Sequence, residues 1–239
     1  MQVQLFVPCF MDQLYPQTAF NTIKVLEKAG CTVTYNTEQT CCGQPAFNEC
    51  FRAESQSVCT KFLKDFSGTS VIVTPSASCA GFIRNYYSLL FENTTRIKEL
   101  KHLTGNVYEL SDFLVNKLGI TQLGASLKGK IAYHDSCAGL REYGIKKEPR
   151  ILLNQVEGLE IVEMNDVETC CGFGGTFAVK FGSISAAMGD QKSKNAEDTG
   201  ADYLVSTDMS CLMHIDGVMK KNGSQMQCLH LADVLASGY

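Results

Sequence analysis

Apolar residues along this chain alternate between two textures. Residues 3–7 form a short, mostly apolar run without helical spacing, as in a buried parallel strand. Residues 18–28 place apolar side chains three and four apart and stop at Gly30, which predicts a helix. The same alternation continues with a strand over 32–35, a helix over 47–66 and a strand over 70–74. It then restarts. Residues 130–133 predict a strand, those around 151–156 a helix and 159–162 a strand, followed by a helix over 177–198 and a strand over 202–206. Strand–helix–strand order of this kind predicts an α/β fold, with parallel sheets covered by helices in two Rossmann-like βαβ repeats.

The restart is an internal duplication. Thr40-Cys41-Cys42-Gly43 recurs as Thr169-Cys170-Cys171-Gly172, and Val107 to Leu114 resembles Cys228 to Leu235. The outlying cysteines keep step: 31 residues separate Cys9 from Cys41, and 32 separate Cys137 from Cys170. Likewise 36 residues separate Cys42 from Cys79, and 39 separate Cys171 from Cys211. We therefore divide the chain into repeats over 1–124 and 125–239, with 119–128 as a linker. Ligands of open parallel sheets gather beyond the carboxyl ends of the strands. Cys9, Cys79, Cys137 and Cys211 fall just past predicted strand ends, and each Cys-Cys-Gly opens the loop before a helix. All four cysteines of a repeat can thus converge on one sheet edge.

Bulk properties narrow the setting. The 239 residues are 45% hydrophobic and 19% charged with net charge −4, so nothing suggests a nucleic-acid footprint. No window approaches the roughly 18–20 apolar residues of a membrane span. The first residues lack the basic and apolar regions of a signal peptide. The expected location is the cytoplasm, with any membrane association made through partners. Twelve cysteines in such a chain point to metal ligation or redox chemistry rather than a disulfide framework.

Thiolates are soft ligands that suit iron–sulfur clusters or zinc. Structural zinc sites usually take close-spaced cysteine pairs, and no Cys-x-x-Cys occurs here. Adjacent cysteines reach different irons of a cluster more easily than one small ion, so clusters are favoured. Gly43, Gly172, Gly174 and Gly175 allow close backbone approach, and their N–H groups can donate to cluster sulfur. Two other functions stay open: a thiol–disulfide enzyme, which lacks its usual motif, and a zinc-bound assembly scaffold.

The pattern Cys-x31-Cys-Cys-Gly-x35-Cys, repeated with near-equal spacing, resembles the CCG (cysteine-rich) domain family, which includes the cysteine-rich component of heterodisulfide reductase and the iron–sulfur component of glycolate oxidase. The resemblance is stronger to its L-lactate utilization protein A type. Tyr133 to Cys137, Cys170 to Lys180 and Asp208 to Met213 carry it. It implies iron–sulfur ligation by Cys9, Cys41, Cys42 and Cys79, and by Cys137, Cys170, Cys171 and Cys211. It also implies L-lactate oxidation to pyruvate alongside partner subunits, one of them a ferredoxin-like iron–sulfur protein. A small hydroxy acid bound at a cluster is compatible with it. Heterodisulfide-reductase-like members carry one more cysteine three residues on, where this chain has Phe82 and His214. That departure favours a 4Fe–4S cubane in each repeat over disulfide-cleaving chemistry, with His214 as an added ligand candidate in the second.

The remaining candidates read more plainly. Cys31, Cys50, Cys59 and Cys228 lack repeat partners and read as core or partly exposed thiols, with Cys50 and Cys59 on opposite faces of one helix. His134 reads as a structural histidine, and Asp135 as its orienting group or a helix cap. Arg141 and Lys180 can offset cluster or carboxylate charge, and Phe173 and Phe177 can pack or shield.

Overall fold

The computed structural model describes residues 1–68, 71–91 and 97–239. Strand β1 (Gln2–Leu5) pairs in parallel with β2 (Thr32–Tyr35) and β3 (Ile72–Thr74), and β4 (Val107–Glu109) pairs in parallel with β3. The second half repeats this with β5 (Ser126–Tyr133), β6 (Glu157–Val162), β7 (Tyr203–Ser206) and β8 (Gln227–His230). The strand orders are β2-β1-β3-β4 and β6-β5-β7-β8, the same order twice. The α/β class, the parallel sheets and the duplication are all present. Ser70, the first residue of the predicted strand over 70–74, lies outside the described residues.

Helices connect the strands, as parallel pairing requires. In the first half they are α1 (Cys9–Leu14), α2 (Pro16–Lys28), α3 (Gln44–Asn48), α4 (Arg52–Asp65), α5 (Ala77–Leu90), α6 (Ile97–Thr104) and α7 (Leu110–Asp112). In the second they are α8 (Lys147–Leu153), α9 (Thr176–Lys180), α10 (Gly182–Glu197), α11 (Met209–Lys221) and α12 (Leu231–Leu235). No helix among the described residues is long and apolar enough to cross a membrane.

Two predicted helices prove to be broken. The one over 47–66 is α3 and α4, and the one over 177–198 is α9 and α10. The first break has a clear cause at Cys50, which takes the left-handed conformation at φ 62°. Its N–H reaches the Phe47 carbonyl at 3.0 Å, and the Phe51 N–H reaches Ala46 at 2.9 Å. That bond pair is a Schellman end, normally built on glycine. Cys50 is therefore exposed beyond the end of α3, while Cys59 is buried in α4, and they do not share a helix.

One apolar cluster spans both repeats, and a second, around Phe6, Phe62, Phe82 and Tyr87, lies in the first. Val3 and Leu5 of the first sheet join a continuous cluster with Ile131, Leu204 and Leu235 of the second half. Fully burying each such side chain contributes about 1.5–3 kcal/mol. Polar ties close the seam: Asp233 in α12 accepts from Thr18 Oγ1 at 3.0 Å and Asn21 Nδ2 at 2.8 Å on α2. Across the seam, Tyr143 OH donates to Asp112 at 2.6 Å and accepts the Glu109 N–H at 3.0 Å.

Glu109 ends β4 and caps α7, its Oε2 accepting the Ser111 N–H at 2.7 Å while Oε1 is buried without a partner. Burial pushes its pKa up to about 8, against hydrogen bonds that pull it down. An unfolded chain ionises this carboxyl near 4.5. The protonated folded form is therefore favoured, and this stabilisation is complete below pH 4.5 and lost as pH rises through 8. In that window the wild type is expected to lose up to about 1.4 kcal/mol per pH unit relative to Glu109→Gln. Urea unfolding of both proteins at pH 5 and pH 8 checks this; parallel pH dependences would contradict it.

Candidate metal centres

Each repeat brings its four motif cysteines to the carboxyl edge of its sheet. Cys9 follows β1 and opens α1, and Cys79 lies in the first turn of α5 after β3. Cys137 follows β5, and Cys211 lies in the first turn of α11 after β7. The loops leaving β2 and β6 carry Cys41-Cys42 and Cys170-Cys171. Because β1 and β3 flank the point where the strand order reverses, as do β5 and β7, both sets sit where open α/β sheets bind ligands.

The two sets match in burial. Cys42, Cys79, Cys171 and Cys211 are buried, and Cys9, Cys41, Cys137 and Cys170 are half-buried. All eight are free thiols lining a single cavity of about 460 Å³ between the repeats. Cys31, Cys50, Cys59 and Cys228 lie outside its lining, as their lack of repeat partners suggests.

The sets match in electrostatics too. Hydrogen bonds from Cys42 and Cys9 pull the Cys41 pKa down to about 3. Those from Cys137 and Cys171 pull Cys170 down to about 2. Donation to the central sulfur, then burial, raises Cys9 and Cys137; Cys42 and Cys171 donate to it and to a second cysteine and also rise. In each set the first cysteine of the Cys-Cys pair is thus favoured as the thiolate by hydrogen bonds from its neighbours. Cys137 Sγ lies 3.8 Å from Cys170 Sγ. Thiolates are the metal-binding form, so binding a metal here displaces the remaining protons.

The glycines serve the loops. Gly43 N–H donates to Cys41 Sγ at 3.4 Å, and Gly172 N–H donates to Cys170 Sγ at 3.4 Å. Gly172 takes φ 93°, and a Cβ there would fall 2.6 Å from the Ser185 carbonyl oxygen, so only glycine fits. Gly174 and Gly175 also have positive φ and line the cavity.

Several candidates have other partners. His214 Nε2 lies 3.1 Å from the Ser185 carbonyl oxygen. The histidine grouped with thiols is His134, whose ring nitrogen, Cys171 Sγ and Cys211 Sγ lie within 4.8 Å of one another. Asp135 neither orients His134 nor caps a helix: it takes both Arg150 Nη atoms, at 2.8 and 2.9 Å. Lys180 is paired with Glu49, and Arg141 lines the cavity. Phe173 packs edge-on against Phe10 at 5.5 Å across the repeats, and Phe177 packs against Phe181.

Asp208 opens one of the segments that carry the family resemblance, but the sequence pattern assigns it no role. It is buried at the helix-capping position of α11 yet turns to the other repeat. Its Oδ1 accepts from Ser76 Oγ at 2.8 Å and from Ser78 Oγ and N–H at 2.7 and 3.1 Å. Its Oδ2 accepts from Ser136 Oγ. Aligning Cys79 with Cys211 pairs Asp208 with Ser76, so unlike residues at a matched position were the available signal.

The model of the CCG family, the cysteine-rich domain, matches residues 3–84 and again 131–216. The chain belongs to the cysteine-rich domain family. Its similar relatives include "Lactate utilization protein A 2" of Bacillus cereus (strain 03BB102), 42% identical over 239 residues covering 100% of this chain and 99% of that protein. "Lactate utilization protein A" of Halalkalibacterium halodurans is 41% identical over 98% of this chain and 96% of its own. The crystal structure of a hypothetical protein from Helicobacter pylori shares the fold, with a TM-score of 0.70 at 12% identity. That likeness covers 100% of this chain and 49% of the other.

The donor chemistry fits a thiophilic group. Four free thiols converge per repeat, and beside the second set His134 is buried with both ring nitrogens unpartnered.

Proposed function

We propose that this chain is an iron–sulfur subunit of a complex that oxidises a 2-hydroxy acid, L-lactate to pyruvate. The observation that carries the reading is the convergence of two matched sets of four free thiols on one cavity between the repeats. The relatives' names support lactate as the substrate of the system. Cys9, Cys41, Cys42 and Cys79 would hold one 4Fe–4S cluster, and Cys137, Cys170, Cys171 and Cys211 the other. Bound clusters supply one-electron storage and transfer, and two of them match the two electrons released when a 2-hydroxy acid becomes a 2-oxo acid.

The chain's own groups have defined tasks. The N–H groups of Gly43, Gly172 and Phe173 donate to ligand sulfur and stabilise negative charge there. Tyr87 donates to the Cys42 carbonyl at 2.8 Å and, with Phe82, keeps water from behind the first set. Half-buried Cys9, Cys41, Cys137 and Cys170 face the cavity, which gives a partner or small hydroxy acid its approach. Reducing cytosol suits such free thiols. The partners are other subunits of the lactate-oxidising complex, including a ferredoxin-like protein.

The test is iron and acid-labile sulfide per chain after anaerobic purification and reconstitution, with EPR before and after dithionite. About eight of each is expected, with a signal that L-lactate produces only when the partner subunits are present. Zinc without labile sulfide would sink the cluster assignment. Loaded protein that stays oxidised with L-lactate and the partners would sink the substrate.

A further inference from the structure

The two sites match in thiols but not in what stands behind them. Aligning Cys9 with Cys137 pairs Phe6 with His134, and the backbone agrees: Phe6 N–H donates to Val73 O at 2.9 Å and His134 N–H to Val205 O at 2.8 Å. In the first repeat that slot is filled by a phenyl ring packed edge-on against Phe62 and Phe66, at 5.2 and 5.7 Å. In the second it holds an imidazole with no exposure, in an interior where polar groups are normally hydrogen-bonded. Neither Nδ1 nor Nε2 has a hydrogen-bond partner. Two thiols lie beside it, and the ring-nitrogen and sulfur atoms of His134, Cys171 and Cys211 fall within 4.8 Å of one another.

We propose that His134 is a fifth donor of the second site, its imidazole nitrogen ligating metal beside Cys171 and Cys211. This rests on the cluster-binding reading of the cysteines. It makes the sites of one chain unlike: thiolate-only in the first repeat, thiolate and imidazole in the second. An unpartnered nitrogen beside two thiols is an expensive arrangement for a merely structural histidine, whereas a metal ligand needs that nitrogen free. A neutral imidazole keeps a lone pair for a metal, and Lys192 stands behind this site. Lys192 is itself buried, its Nζ donating to the Asp166 carbonyl at 2.6 Å. The Lys192 ammonium offsets negative charge at the second site, and the neutral imidazole adds none. Reduction of that site is therefore favoured over that of the first, and electrons entering the chain settle there.

The experiment is pulsed EPR on the dithionite-reduced, reconstituted full chain, unlabelled and labelled with ¹⁵N-histidine. A histidine nitrogen coupling that changes isotope pattern on labelling is expected in the wild type, on the signal that appears first in a reductive titration. His134→Cys keeps a donor and removes the nitrogen, so it should stay loaded and lose that coupling; His214→Ala should keep it. Full iron and sulfide without any histidine coupling overturns the role of His134 and leaves the cluster reading standing. So does a coupling lost in His214→Ala and kept in His134→Cys. Absence of iron and sulfide from the reconstituted wild type overturns the cluster reading and this proposal with it.

Discussion

Cys171→Ser is expected to remove about half of the iron and labile sulfide from the reconstituted chain, with the first site still loaded. Cys171 is 1% exposed, hydrogen-bonded with both Cys170 and Cys211, and so sits inside its set rather than at its rim. A serine hydroxyl is a hard oxygen that stays protonated at neutral pH, so it cannot stand in for a soft thiolate. Cys42→Ser, its counterpart, should remove the other half, and the double variant essentially all. Cys228→Ser is the control: half-buried, outside the cavity lining and 3.9 Å from Met219 Sδ, it should leave the metal content unchanged. Iron and sulfide assays with circular dichroism on all four proteins decide the matter. Loss of both sites from Cys171→Ser without unfolding would mean that the cysteines form one shared centre.

Much of this arrangement is legible in the sequence because it rests on local rules. Strand texture and helical spacing found the elements, and βαβ topology then forces strand-end loops to one sheet edge. The matched cysteine intervals could therefore be read as two sites before any coordinates. Contacts between elements distant in sequence were not legible. His214, three residues after Cys211 on α11, has ligand-like spacing, but α10 packs against α11 and its Ser185 carbonyl takes the ring. His134 reads as structural from sequence, which cannot show that a buried ring lacks partners. The sequence feature that marks this unpartnered ring is the pairing with Phe6, a polar side chain where the other repeat has an apolar one. The break at Cys50 escaped because a Schellman end normally announces itself by glycine.

The largest loss of stability should come from Asp208→Ala, at about 2–4 kcal/mol from removing charge-assisted hydrogen bonds in a buried site. Asp208 gathers the segments before three strand-end cysteines. Ser76 caps the turn holding Cys79, Ser136 precedes Cys137, and Asp208 itself lies three residues before Cys211. Removing the carboxylate leaves three serine hydroxyls to find other acceptors, with only partial compensation from the Ser76–Ser78 contact at 3.1 Å. Asp208→Asn keeps the Oδ1 bonds to Ser76 and Ser78, and Ser136 can rotate to accept from the new amide, so its cost should stay below about 1.5 kcal/mol. Urea unfolding of the three proteins gives the order, with the alanine variant lowest. The same variant separates a structural hub from a ligand. Because the carboxylate ties the edges of both sheets together, its loss should lower the metal content of both sites in parallel, where Cys171→Ser empties one. An alanine variant within about 0.5 kcal/mol of wild type, the range of ordinary surface changes, and fully loaded would show that apolar packing alone aligns the repeats.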